Sequence, residues 1–394
     1  MKKDYTKTIR TCFIGYIVQA IVNNFVPLLF ITLQQNYSIP LSKITLLVTI
    51  NFGLQLLVDM VCAGFIDKIG YKVSAVAAHV LSATGLIALT IFPDIFPDPF
   101  TGLLAAVVIY AAGGGLLEVL ISPIVEACPT DNKEKAMSML HSFYCWGQVG
   151  VVLLSTIYFA FFGLEHWKYL AVLWALIPIY NAVMFTRVPI ASLDSGEHGG
   201  LSFKALVQNK LFWLLMLFMV CAGASEQSVS QWASAFAERG LGVSKTLGDL
   251  TGPMMFAIMM GTSRLIYGRY GERLNLNKFM RYSVILCIGS YLLISLSTLP
   301  VLGLIGCGIC GLSVGILWPG TFSMAAANIR GGGTAMFAFL ALAGDLGCSA
   351  GPTVVGIASS YFDNNLKIGI LAATIFPVIL IIGLLRKTGV KQLT

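Results

Sequence analysis

The chain is 394 residues long, 57% hydrophobic and only 11% charged, with a mean hydropathy of +0.83. That composition excludes a soluble globular domain and marks a polytopic membrane protein with room for roughly a dozen spans of about 20 residues each. A net charge of +7 would suit nucleic acid in a soluble protein, but here the placement of the basic residues follows membrane topology instead.

Lys2, Lys3, Lys7 and Arg10 precede an apolar run from Cys12 to Leu33. The run is too long for a signal-peptide core and has no small-residue cleavage site, so it reads as the first span. Apolar runs, breakers and charge clusters predict twelve spans, near 9–33, 43–66, 73–93, 100–127, 135–160, 166–188, 209–236, 246–268, 278–298, 300–328, 333–360 and 366–386. Twelve spans place both termini on one side. Every Lys and Arg except Lys43, Lys168, Arg239, Lys245 and Lys367 falls in the termini and alternate loops of that side. The positive-inside rule therefore predicts cytoplasmic termini in an inner (plasma) membrane.

Polar side chains inside the spans are the candidate machinery, because each is costly in hydrocarbon unless it faces a partner or a wet cavity. Span 1 offers Gln19, Asn23 and Asn24. Span 2 carries Asn51, Gln55 and Asp59 at i, i+4 and i+8, on one face. Span 4, from Gly102 to Cys128, organises the rest: it holds Glu118 more than a turn inside its cytoplasmic end, after Gly113, Gly114 and Gly115. Glu118, Ser122 and Glu126 share a face, and the glycines allow close approach of neighbouring helices or a ligand. Span 5 repeats His141, Tyr144 and Gln148 at i, i+3 and i+7. Residues 189–208 form the longest polar interruption, and a cytoplasmic linker is expected there between a first half, 1–188, and a second half, 209–394.

Span 7 is densest in polar groups, with Glu226, Gln227, Ser230, Gln231 and Trp232 close together. The glutamines suit a polyhydroxylated ligand and Trp232 suits stacking on a sugar face. Asp249 in span 8 reads as solvated or as a helix N-terminal charge, and Arg264, also in span 8, as part of a cytoplasmic latch. Span 10 adds Trp318 and span 11 adds Asp345. Glu118, Glu226 and Asp345 are the deepest acids, with Asp59 a shallower fourth. No Lys or Arg is placed at midplane to pair them, so each is a candidate proton carrier. The nine cysteines fall almost entirely within spans and read as small apolar residues. Cys307 and Cys310 form a CxxC with no accompanying histidine or second pair, so neither a metal nor a cofactor is expected.

The two halves echo each other. Ser42-Lys43 opens span 2 and Ser244-Lys245 opens span 8. Pro123 in span 4 matches Pro319 in span 10, with Gly115 and Gly311 at equal distances before them. Gly147 in span 5 matches Gly347 in span 11. Two parallel six-helix repeats imply a transporter with its substrate site near the midplane between them.

Between spans 2 and 3 runs Ala63-Gly64-Phe65-Ile66-Asp67-Lys68-Ile69-Gly70-Tyr71-Lys72. It resembles the loop signature of the major facilitator superfamily, G-x-x-x-D-[RK]-x-G-[RK]-[RK], with Ala63 and Tyr71 departing from it. The resemblance covers essentially the whole chain. It implies an all-α membrane protein of twelve transmembrane helices in two six-helix pseudo-repeats, with Asp67, Lys68, Gly70, Lys72, Arg264 and Arg269 as a conformational latch. A finer resemblance is to the fucose–proton symporter branch and related sugar porters. That branch carries E-x-x-x-N-P in span 4, where Glu118 is followed here by Ser122-Pro123, and an aromatic-Pro-Thr-x-Phe segment similar to GILWPGTFSMA in span 10. The acid the branch carries in span 1 is replaced by Gln19, Asn23 and Asn24.

These readings predict a secondary active transporter, acting as a monomer in the lipid bilayer, that couples a proton (or sodium) to uptake of a sugar or similar small polar solute. The alternative is proton-coupled efflux of drug-like or amphipathic compounds, which the polar stripes on spans 1, 2, 5 and 7 disfavour. An intramembrane enzyme would need a nucleophile–base pair or a metal-ligand set, and none of His79, His141, His166 and His198 lies in such a setting. No GxxxxGK[ST] occurs to bind ATP.

Overall fold

The structure, a computed structural model, describes residues 5–62, 66–129, 133–191, 203–270, 275–329 and 333–386. Among them every regular element is helical. The chain folds as two compact units, Met1–Ser195 and Gly196–Thr394.

The first unit holds α1 (Thr6–Tyr37), α2 (Leu41–Cys62), α3 (Tyr71–Ile95), α4 (Pro99–Ala127), α5 (Lys133–Phe162) and α6 (Trp167–Arg187). The second holds α7 (Lys210–Ser230), α8 (ending in Met255–Tyr270), α9 (Leu276–Leu296), α10 (Pro300–Asn328), α11 (Gly333–Tyr361) and α12 (Leu366–Arg386). Eleven of these are long and apolar enough to cross a membrane as counted by unbroken length. The twelfth, α8, is interrupted: Lys245–Asp249 runs into a π-helical turn, Leu250–Met254, before the final stretch. Pro253 sits in that turn and removes one rung of the ladder.

The helices pair alike in both units. α1 packs on α4, α5 and α6; α3 packs on α4 and α6; α2 packs on α4. In the second unit α7 packs on α10, α11 and α12; α9 packs on α10 and α12; α8 packs on α10. The repeat read from scattered Pro and Gly positions is thus a repeat of helix packing. Breaks fall where proline or glycine predicts them: a 3-10 turn at Val26–Leu29 with Pro27, a gap in α10 between Val314 and Leu317 ahead of Pro319, and a kink at Thr374 ahead of Pro377.

Part of the 189–208 linker, residues 192–202, lies outside the described residues; Phe203–Gln208 forms a short helix. Gly70, which starts α3, has φ +91° with nothing near the position of a Cβ. Its role in the loop motif is conformational, since L side chains rarely adopt that φ. The side chains of Asp67, Lys68 and Arg269 lie outside the described residues. Lys72 is exposed.

Close helix crossings make one expectation measurable. A Cβ at Gly347 would sit 2.0 Å from the Val220 carbonyl oxygen, whereas one at Gly289 would meet nothing within 4 Å. Gly347→Ala should lower stability by roughly 1–3 kcal/mol, and Gly289→Ala should leave the thermal midpoint of the purified protein close to the parent's.

Candidate functional site

In the first unit the polar residues of α1, α2 and α4 meet in one circuit. Gln19 Nε2 donates to Gln55 Oε1 at 2.9 Å and to Glu118 Oε2 at 3.3 Å. Gln55 Nε2 donates to Asn23 Oδ1 at 2.9 Å and Asn51 Oδ1 at 3.1 Å, and Asn51 Nδ2 donates to Asn23 Oδ1 at 3.3 Å. The four amides are buried, and their donors serve the carboxylate and the acceptors of Gln55, Asn51 and Asn23. The glycine triplet makes the meeting possible. A Cβ at Gly113 would strike Ala78 and Ser82 of α3, one at Gly114 would crowd Gln19 and Gln55, and one at Gly115 would press on the α2 backbone at Gln55.

A carboxylate oxygen of Asp59 lies within 4.8 Å of one on Glu118. The fold thus brings Asp59 of α2 beside a second acid. Tyr16 OH shares a hydrogen bond of 3.0 Å with Ser122 Oγ, and His141 stands edge-on to the Tyr16 ring at 5.5 Å. Tyr16, Gln19 and Glu118 line a narrow recess with Gly15, Leu117 and Ile121. Tyr16 escaped the sequence reading, although Tyr16, Gln19 and Asn23 fall at i, i+3 and i+7, a usable signal. Asn24 Nδ2 donates to its own helix at Ala20 O and reaches Tyr144 OH at 3.5 Å; Gln148 is buried.

The second unit builds a parallel circuit with a different end. Gln231 Nε2 donates to Gln227 Oε1 at 3.0 Å, Gln227 Nε2 donates to Glu226 Oε1 at 3.3 Å, and Arg264 approaches Glu226 Oε2 at 3.3 Å. One expectation is corrected here: Glu226 has a base within reach, the Arg264 head lying against its carboxylate. The pairing joins α7 to α8 across 38 positions of sequence, and no local spacing announces it. Trp232 is also corrected. It is fully buried and its indole N–H donates to Pro352 O at 3.0 Å, so its ring is core and offers no open stacking face. Trp318 is partly exposed, its ring against Gly344 of α11, and the next residue, Asp345, is buried.

Asp249 is neither solvated nor a simple helix-end charge. It is completely buried, pairs with Lys245 Nζ at 2.8 Å and accepts from Ser234 Oγ. Two π-helical turns, Phe236–Gly240 and Leu250–Met254, flank this cluster. Burial raises the Glu238 carboxyl beside it above the usual range; Lys245 opposes that and Asp249 adds to it.

His79 belongs to a different arrangement. Its Nδ1 lies 2.7 Å from Ala75 O and its Nε2 2.7 Å from Asn181 Nδ2, which also donates to Thr11 O. Two carbonyls fix both orientations: Nδ1 carries the proton, and Nε2 accepts. The group ties α1, α3 and α6 together. Asn181→Ala should cost about 1–3 kcal/mol by leaving buried acceptors unsatisfied, seen as a lower unfolding midpoint with transport activity per folded molecule retained.

Residues 12–352 match a family model described as Major Facilitator Superfamily. No curated protein matches the sequence. Among solved structures, the chain is similar to the Escherichia coli fucose:proton symporter FucP, at 16% identity over 98% of this chain and 100% of that one, with a TM-score of 0.66. A D-xylose–proton symporter aligns at 12% identity over 99% and 98%, TM-score 0.77. The nucleoside transporter NupG aligns at 12% identity over 96% and 99%, TM-score 0.76.

Proposed function

Since the chain belongs to the Major Facilitator Superfamily, and is therefore a multi-pass membrane transporter of the twelve-helix fold, we propose that it is a secondary active transporter coupling proton entry to uptake of a sugar or similar small polar solute. The observation that carries this reading is the Glu118 site: an intramembrane acid with Asp59 within 4.8 Å and an amide circuit leading from it. Like charges this close favour a single shared proton, and a group that gains and loses one proton is what coupling requires. Glu226 plays another part. Arg264 lies against its carboxylate, and Glu118, with Asp59 beside it, is taken as the titrating site. Proton symporters of fucose and D-xylose with the same fold support the class of reaction, and the basic residues of one set of loops support cytoplasmic termini.

For the solute, the first unit offers Asn23 and His141 and the second offers Gln227 and Gln231, with Trp318 as the remaining aromatic surface. Losing one neutral hydrogen bond costs about 0.5–1.5 kcal/mol. Gln227→Ala and Gln231→Ala should each weaken solute binding roughly threefold or more, measured by equilibrium binding of the transported solute. The direction of coupling is tested by adding sugars and polyols to lightly buffered cells overproducing the protein. Symport alkalinises the medium as a solute enters. Acidification on adding a solute would replace uptake by efflux in exchange for protons.

A further inference from the structure

In the circuit of the first unit one donor meets the carboxylate and the others run on from it toward Asn23. Gln19 Nε2 serves both Gln55 Oε1 and Glu118 Oε2, while Gln55 Nε2 and Asn51 Nδ2 converge on Asn23 Oδ1. Gln19 Oε1 is buried without a hydrogen-bond partner among the described residues. This is the polarity demanded by an ionised Glu118, which can only accept. A proton on the facing oxygen reverses the demand: the O–H needs an acceptor, and Gln19 presents an NH2 group, which has none to give.

We propose that Gln19 and Gln55 form an amide relay that reports the protonation of Glu118 to Asn23. The inference rests on the reading that Glu118 carries the proton. The proton adds to a carboxylate oxygen of Glu118, and no other covalent bond changes. Gln19 turns half a revolution about its terminal torsion, which is soft and roughly two-fold, so that its orphaned Oε1 accepts from Glu118. Gln55 Oε1 then faces an oxygen and turns as well, donating Nε2 back to Gln19. The Gln55 oxygen then faces Asn23 Oδ1 and Asn51 Oδ1, so both asparagines turn as well, and Asn23 presents its oxygen, an acceptor for a solute hydroxyl, where its NH2 group stood. Proton and solute binding are thereby linked by amide rotations alone, with no helix movement needed at this step.

Of the other titratable groups around Glu118 in its half, Asp59 competes with Gln19 as an acceptor and the rest are engaged elsewhere. Asp59 approaches from α2 as a second acceptor, and Tyr16 from α1 is engaged with Ser122. His141 of α5 stands behind Tyr16, and both ring nitrogens of His79 on α3 are taken. Gln19 and Gln55 are positioning residues that act through Asn23.

The test is pH-difference infrared spectroscopy on the full-length protein in lipid, with glutamine labelled with carbon-13 at its side-chain carbonyl. On acidification the parent should gain a protonated-carboxyl band together with a paired gain and loss in the labelled amide carbonyl region. Glu118→Gln should lose both signals. Gln19→Met should keep the carboxyl band and lose the amide signal, and Gln55→Met should keep the carboxyl band with the amide signal reduced. A carboxyl band that survives Glu118→Gln overturns the assignment of the proton to Glu118, and the relay with it. A carboxyl band that vanishes in Glu118→Gln, with no labelled amide change in the parent, overturns the relay alone. An amide signal undiminished in both methionine variants does the same.

Discussion

Glu118→Gln should abolish proton-driven accumulation while leaving solute exchange intact. A pH gradient of one unit stores about 1.4 kcal/mol per proton, so a one-to-one symporter reaches roughly tenfold accumulation; the variant should reach none. The neutral amide stands in for the protonated acid, so the conformational cycle proceeds with solute bound and cannot be driven by the gradient. Gln19, whose Nε2 reaches Glu118 at 3.3 Å, retains a side chain to pair with. Folding should therefore survive the change. Counterflow of labelled solute in proteoliposomes supplies the exchange measurement. A variant that still concentrates solute like the parent would remove Glu118 from coupling and turn attention to Asp345.

The second large effect is expected at Arg264. Its head lies 3.3 Å from Glu226, and both side chains are largely buried. Arg264→Met leaves the Glu226 carboxylate with only the Gln227 hydrogen bond among those described. Stripping one partner from a buried ion pair costs about 3–5 kcal/mol, whereas replacing both partners by neutral groups is often nearly neutral. Arg264→Met should therefore unfold at markedly lower temperature, and the double variant Arg264→Met/Glu226→Gln should recover most of the loss. The double-mutant cycle isolates the pair because both residues act on one contact. Additive losses would show that Arg264 stabilises α8 by some other contact.

Much of the fold was legible because lipid imposes a simple rule: backbone groups must be satisfied within the helix, and apolar length marks each span. The span limits at α3, α4, α9 and α11 fall within a few residues of those expected. α8 was legible as a span, but its π-helical turn at Leu250–Met254 was not, because a register change inside a helix leaves hydropathy untouched. Within the site, the residues sharing a helical face were legible from spacing, as with Asn51, Gln55 and Asp59. Contacts between helices were not. Glu226–Arg264, His79–Asn181 and Asp59–Glu118 each join residues far apart in sequence, and their pairing depends on helix rotation that composition does not encode. Trp232 misled for a related reason: an aromatic next to glutamines on a polar helix can face either way, and here it faces the core and the Pro352 carbonyl.

Uptake into proteoliposomes containing only this protein is the most direct measurement of the central claim. Labelled sugars and polyols are supplied outside, with an inward proton gradient imposed and then collapsed by a protonophore. The account predicts that at least one polar solute accumulates above its external concentration while the gradient stands and falls back to equality when it collapses. Accumulation that ignores the proton gradient but follows a sodium gradient would contradict it.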